Sequence, residues 1–307
     1  MTYLLGRWEQ FWFAPIRPHT YALLRIVLGT LGCLILIGLR DLRTFWYLDG
    51  LVPISAGGLG IKTFLLSHGM GHLAGAVLYF CTLASFVSMA VGFVARASVV
   101  AAFTTSLMQV SWNYLPLSGA DAAMRALLFC LVWADCGSVW SMDAWLARRR
   151  GHPLRESTYV IAPLRMMQFQ VALIYLNAGL WKLLNPLWRN GTAVHYVLES
   201  NVYRRFPYEL PVSVEPLISV LTYATLCWEL TFAPLLLFRP TRRVALVAGV
   251  MIHLGMLLTI EIGPFHFVML ASYLAFLNPK IVPMLPDKLL RMIGARGPAA
   301  VRTLESS

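Results

Sequence analysis

The stretch QFQVALIYLNAGLWKLLNPLWRNG, residues 168–191, decides how this chain is read. It is apolar enough to enter lipid, yet it carries Gln168, Gln170, Asn177 and Lys182. Each of those groups costs free energy away from water or a partner, so the helix belongs where partners exist. At about 100° per residue, Arg165, Gln168, Ala172, Tyr175, Gly179 and Lys182 share one arc about 100° wide, with Gln170 and Asn177 opposite. A helix polar on two faces is expected inside a helical bundle, with protein or a cavity around it. Ionisable groups within a membrane mark functional sites by default, which puts Lys182 first among the candidates.

The rest of the chain agrees. Of 307 residues 58% are hydrophobic and 13% charged, with mean hydropathy +0.67. That balance excludes a soluble domain and gives an integral membrane protein. The net charge of +11 sits in short loops between apolar spans, which is a topology signal and not a nucleic-acid footprint. No nucleic-acid motif, nucleophile triad or phosphate-binding glycine loop occurs, so no nucleic-acid partner is expected. Residues 1–19 contain Arg7, Glu9 and Arg17 and lack a continuous apolar core, so no cleavable signal is expected. Trp8, Phe11, Trp12 and Phe13 predict an interfacial segment there. Cys33, Cys81, Cys130, Cys136 and Cys227 fall in or near apolar spans without a C-x-x-C, which gives neither a disulfide framework nor a metal site.

Eight spans are expected, at about 20–39, 73–92, 97–111, 122–140, 164–184, 216–238, 244–260 and 264–278. With the N-terminus in the cytoplasm, 15 Lys and Arg residues fall on that side, 6 on the other and 4 within spans. The bias predicts an all-α, multi-pass helical bundle of the cell membrane with both termini cytoplasmic. The organisation is then an interfacial segment 1–19, a transmembrane domain 20–278 and a cytoplasmic tail 279–307. Lys182 is placed near the extracytoplasmic end of the fifth span.

Several stretches, in order, carry a resemblance. They are YLDGL at 47–51, MAVGF-ARAS at 89–98, SWN at 111–113 and WSMDAWL at 140–146. They continue with APLR-MQFQ-ALIYLNAGLWKL-NPLW-NG at 162–191, WEL-FAPLLLF at 228–238, and a run from His253 to Ser272 ending FVMLAS. The chain resembles the horizontally transferred transmembrane (HTTM) domain family, whose best-known member is the vitamin K-dependent gamma-glutamyl carboxylase. The resemblance covers roughly residues 20–278. It implies a reduced quinone of the vitamin K type as cofactor and Lys182 as the base that deprotonates it. His253 matches a family histidine, and Glu229 stands where the carboxylase carries an acid. Two departures count against full protein carboxylation. Leu115 stands where the carboxylase has a catalytic histidine, and the large lumenal region that binds its protein substrate is not matched. Another family member is a bacterial protein needed to mature a secreted peptide toxin, so a peptide substrate is open as well.

Each candidate has a plainer alternative. Lys182 can be a snorkelling anchor. His253 can satisfy itself against a neighbouring helix, and Glu229 can form an ion pair with Arg25, Arg125, Arg165 or Lys182. Trp112, Asn113, Gln168, Tyr175, Asn177 and Glu229 are the expected pocket or substrate-binding residues. Trp112, Asn113 and Asp121 can equally cap helices, Asp121 as an N-cap. His68 and His72 have the i, i+4 spacing of metal ligands, but Gly69 and Gly71 weaken the helix that would align them. His266 is expected at the interface, and no second histidine at the depth of His253 is evident. The leading expectation is a carboxylase-like or quinone-dependent enzyme at the extracytoplasmic side. The alternatives are a non-catalytic factor for maturation or export of a peptide, and a small-solute transporter.

Overall fold

The computed structural model describes residues 2–47, 60–113, 117–151, 159–207 and 209–285. Most of YLDGL and Leu115 lie outside them. The described chain is nearly all helical: α1 (Thr2–Phe13), α2 (His19–Gly38), α3 (Leu42–Phe45), α4 (Gly60–Ser67), α5 (Gly71–Val91), α6 (Ala95–Trp112) and α7 (Gly119–Val132). Then follow α8 (Met142–Arg149), α9 (Ala162–Leu184), α10 (Pro186–Arg189), α11 (Ala193–Glu199), α12 (Glu215–Leu235), α13 (Arg239–Thr259) and α14 (Phe265–Ser272). A 3₁₀ turn, Tyr273–Phe276, extends α14. A two-residue antiparallel ladder, β1 (Pro15–Ile16) with β2 (Tyr159–Val160), ties the N-terminal segment to the start of α9.

Local chemistry sets many of the ends. Ser118 is the N-cap of α7, and Asp121, expected as the N-cap, is instead the N3 residue that completes a capping box with it. Ser141 caps α8, and proline occupies the first turn of α9, α12 and α13, where its missing N–H costs nothing.

All eight expected spans lie on helices. Four helices, α2, α5, α12 and α13, are long and apolar enough to cross a membrane. The fourth expected span is shorter than the 122–140 stretch suggested, because α7 stops at Val132. The following carbonyls turn inward to Arg25 instead, which accounts for the break.

The bundle has two halves. In one, α2, α5, α6 and α7 pack in succession; in the other, α9 packs along α12, and α13 lies between α12 and α14. The halves join where α7 meets α9 and α14. Along that seam Leu127, Leu128, Leu131, Leu164, Met167, Val268 and Met269 are buried in one continuous apolar core. α9 is not enclosed on all sides. Phe169, Leu173, Asn177, Leu180 and Leu184 are exposed, so the expectation of protein around the whole helix is corrected. Its buried residues are Pro163, Leu164, Met167, Val171, Tyr175 and Gly179. The lysine stripe thus shares only Tyr175 and Gly179 with the buried face and is otherwise half-buried, while the outer face is open.

Candidate functional site

The stripe on α9 is pressed against α12 where Gly179 removes a side chain. A Cβ at Gly179 would stand 3.0–3.1 Å from Leu230, including its backbone nitrogen. This close approach brings Glu229 opposite Lys182, and Lys182 Nζ donates to Glu229 Oε1. Of the four bases near enough by sequence depth, Lys182 is therefore the partner of Glu229. Trp188 of α10 closes over the pair, with Nζ 4.9 Å from its ring centroid. The lysine side chain keeps 25% of its surface exposed and the glutamate 9%, so the pair is reached from one side only.

Two turns deeper on the same stripe, Tyr175 is the hub of a second set. Its hydroxyl lies 2.7 Å from His253 Nε2 and 2.6 Å from the Tyr273 hydroxyl. Trp228 and Phe232 of α12 pack edge-on and tilted against its ring at 4.6 and 4.5 Å. Gly249 makes room on α13, since a Cβ there would stand 2.1 Å from the Tyr273 hydroxyl and 2.7 Å from Trp228. The Trp228 indole N–H donates to Ala245 O at 3.0 Å and locks its ring. His266, on the first turn of α14, lies with its ring centroid 6.0 Å from that of His253.

His253 is 1% exposed and His266 0%. His253 Nδ1, both ring nitrogens of His266 and Glu229 Oε2 are buried without a hydrogen-bond partner. A neutral imidazole always presents one N–H and one lone pair. The set therefore contains unmatched donors and unmatched acceptors together. Each such group costs about 1–3 kcal/mol when nothing meets it. A ligand bearing a hydroxyl, carbonyl or amide would answer both kinds.

The other expected residues divide. Gln168 stands on the stripe and donates through Nε2 to Ala275 O at 2.7 Å, while its Oε1 accepts from Arg165. It positions α9 against the 3₁₀ turn that carries Tyr273. Trp112 and Asn113 are away from this cluster. Trp112 Nε1 donates to Trp46 O at 2.7 Å and Asn113 Nδ2 to Phe45 O at 2.8 Å, so both brace the segment after α2. Lys62 Nζ adds a bond to Trp112 O at 2.7 Å, and burial lowers the pKa of this amine. Trp112 and Asn113 line a cavity of about 10 Å³ between these elements. Asn177 is exposed on the outer face of α9, apart from the cluster. His68 follows the end of α4 and His72 belongs to α5, so no single helix aligns them.

Sequence reasoning missed Tyr273 and gave His266 no place in the site. His266 is fully buried, and it is the second histidine near His253. The only sequence signal was a histidine at the start of an apolar helix after Gly263–Pro264.

A model of the HTTM domain matches residues 13–280. The chain belongs to the HTTM domain family. As an HTTM protein with four helices fit to cross a bilayer, it is a membrane protein. It is also similar to the sporulation-delaying protein SdpB of Bacillus subtilis (strain 168), 28% identical over 139 residues. That match covers 44% of this chain and 43% of SdpB, so less than half of the relative's length is spanned. No solved structure matches the chain.

Proposed function

We propose that this HTTM protein is a multi-pass enzyme of the cell membrane, using a reduced quinone or modifying a peptide at the extracytoplasmic side, with Lys182 as base. The observation that carries the reading is the Lys182–Glu229 pair, with Lys182 on the same α9 stripe as Tyr175, whose hydroxyl meets His253, and with unmatched buried polar atoms on Glu229, His253 and His266. Lys182 takes a proton from the substrate. Glu229 orients the amine, and Tyr175 with His253 holds the far end of the ligand.

The donor set fits a reduced quinone, because unmatched donors and acceptors flank aromatic side chains that suit a flat ring. Such a cofactor would supply reducing power; the chain's own contribution is to bind, orient and deprotonate. A carboxylase-like outcome and a quinone-dependent oxygenation are both compatible with these residues.

A second reading, a non-catalytic factor for maturation or export of a secreted peptide, draws on the surface beside Lys182. Tyr196, Val202, Phe206 and Val212 are exposed in the connection between α10 and α12, a surface suited to a peptide.

The test is a pair of substitutions read against turnover of whatever lipid or peptide copurifies with the protein. Lys182→Ala removes turnover with folding retained. Lys182→Arg fails equally, because a guanidinium stays protonated. Normal turnover in Lys182→Arg would reduce Lys182 to an interfacial anchor.

A further inference from the structure

Behind the Tyr175 hub a line of polar groups continues toward the surface without passing Lys182. His253 turns Nε2 to the Tyr175 hydroxyl at 2.7 Å. The two nitrogens of an imidazole point to different sides, so Nδ1 looks away from that bond. The rings around His253 are those of Tyr175, Tyr273, Phe265 and His266. The two tyrosine hydroxyls bond each other at 2.6 Å and Phe265 is apolar, so of these rings only His266 can carry a polar path further. Its centroid stands 6.0 Å from that of His253, at an interplanar angle of 69°. Among the described residues His253 Nδ1 and both nitrogens of His266 are buried without a hydrogen-bond partner, so the two rings do not bond directly. One water, which both gives and accepts, answers atoms on both.

The outer end of the line is close to the surface. His266 lies on the first turn of α14, just past the turn that joins α13 to α14. That turn is charged and open. Glu261 and Gly263 are exposed, and Glu261 Oε2 pairs with Arg205 Nη2 at 2.7 Å. The Glu261 N–H donates to Tyr203 O at 2.7 Å and holds the turn in place. His266 therefore stands between a wet, charged turn and the buried His253. A histidine kept for packing alone would leave two nitrogens unmet where an aliphatic side chain fills the same space.

We infer that His266 and His253, joined by water, carry protons between the α13–α14 turn and the Tyr175 hydroxyl. Chains of this kind are a recurrent use of histidine inside membranes. The inference rests on the proposed function, in which the far end of the substrate lies at Tyr175. In delivery, Tyr175 gives its hydroxyl proton to the substrate, His253 Nε2 gives its proton to the Tyr175 oxygen, and Nδ1 takes one from the water beside His266. No electrons move, and the reverse order takes a proton out. His266 touches no substrate; it acts through His253.

Mass spectrometry of the full chain in heavy water reads exchange of the imidazole C2 hydrogen at each histidine, with no turnover needed. That exchange requires solvent to reach the ring. His253 should exchange well above the rate that global unfolding allows, and His266→Leu should slow it roughly tenfold. Lys182→Ala should change it by no more than about twofold. An unchanged His253 rate in His266→Leu would overturn the path, and so would a wild-type rate set by global unfolding. Exchange at His253 lost in Lys182→Ala would place the entry at the lysine and contradict the path as well. If His266→Leu does not fold, His266 in the wild type decides: exchange far above the unfolding rate supports the path, and exchange at that rate ends it. Normal turnover in Lys182→Arg would sink the proposed base and leave this exchange result standing, so the two failures are told apart.

Discussion

Each half of the bundle buries a polar cluster, and the two are finished differently. In the first half Arg25 is 0% exposed, yet its guanidinium is met on every side. Nε donates to Cys136 O at 3.0 Å, Nη1 to Met89 O and Ala90 O at 2.5 and 3.0 Å, and Nη2 to Trp140 O at 2.6 Å. Asp143 completes the junction by accepting the backbone N–H groups of Val94 and Ala95 at 2.8 and 2.7 Å. In the second half His253, His266 and Glu229, around the Tyr175 hub, leave several buried atoms unmet. A polar group that is fully met serves the fold, because its bonds offset its burial. A polar group left unmet detracts from the fold, and its retention needs another reason, which a ligand supplies.

Substitutions test this contrast, the largest effect first. Arg25→Met should remove the pin joining α2, α5 and the chain after α7. A loss of at least ~3 kcal/mol is expected, visible as a sharply lower yield of folded protein and a lower unfolding midpoint in detergent. An Arg25→Met protein as stable as wild type would end the assignment of Arg25 to the fold. Gly249→Ala should cost about 1–3 kcal/mol, because its methyl group meets the Tyr273 hydroxyl and Trp228 and forces the Tyr175 hub apart. A thermal scan checks this, and an unchanged midpoint would mean the hub is looser than described. Asn177→Leu, on the open face of α9, should stay within about ±0.5 kcal/mol and leave turnover intact. A large loss of turnover there would extend the site to the outer face.

Much of this was legible in the sequence. Long charge-free runs gave a nearly all-helical membrane chain, and the stripe on α9 picked out Tyr175, Gly179 and Lys182 because side-chain periodicity survives folding. Pairing was less legible. Glu229 had four possible basic partners by depth, and only the close approach at Gly179 selects Lys182. Arg25 left no trace of its role, since its partners are backbone carbonyls that any residue carries. The same tertiary clamp ends α7 at Val132, ahead of the apolar run that predicted a longer span. The burial of His266 was not legible because a helix starting at Pro264 reads as starting at the surface, whereas this one starts packed against His253. Asn177 misled for a simpler reason: a polar residue in an apolar run invites a partner, and this one lies on the open face.

The comparison of the two clusters comes down to one measurement: the unfolding midpoints of His266→Leu and Arg25→Met, taken side by side with wild type in the same detergent without added ligand. His266→Leu removes two unmet ring nitrogens without enlarging the side chain much, so its midpoint should equal or exceed that of wild type while Arg25→Met falls far below. If His266→Leu falls as far as Arg25→Met, the cluster around Tyr175 serves the fold as Arg25 does, and its unmet atoms no longer point to a ligand.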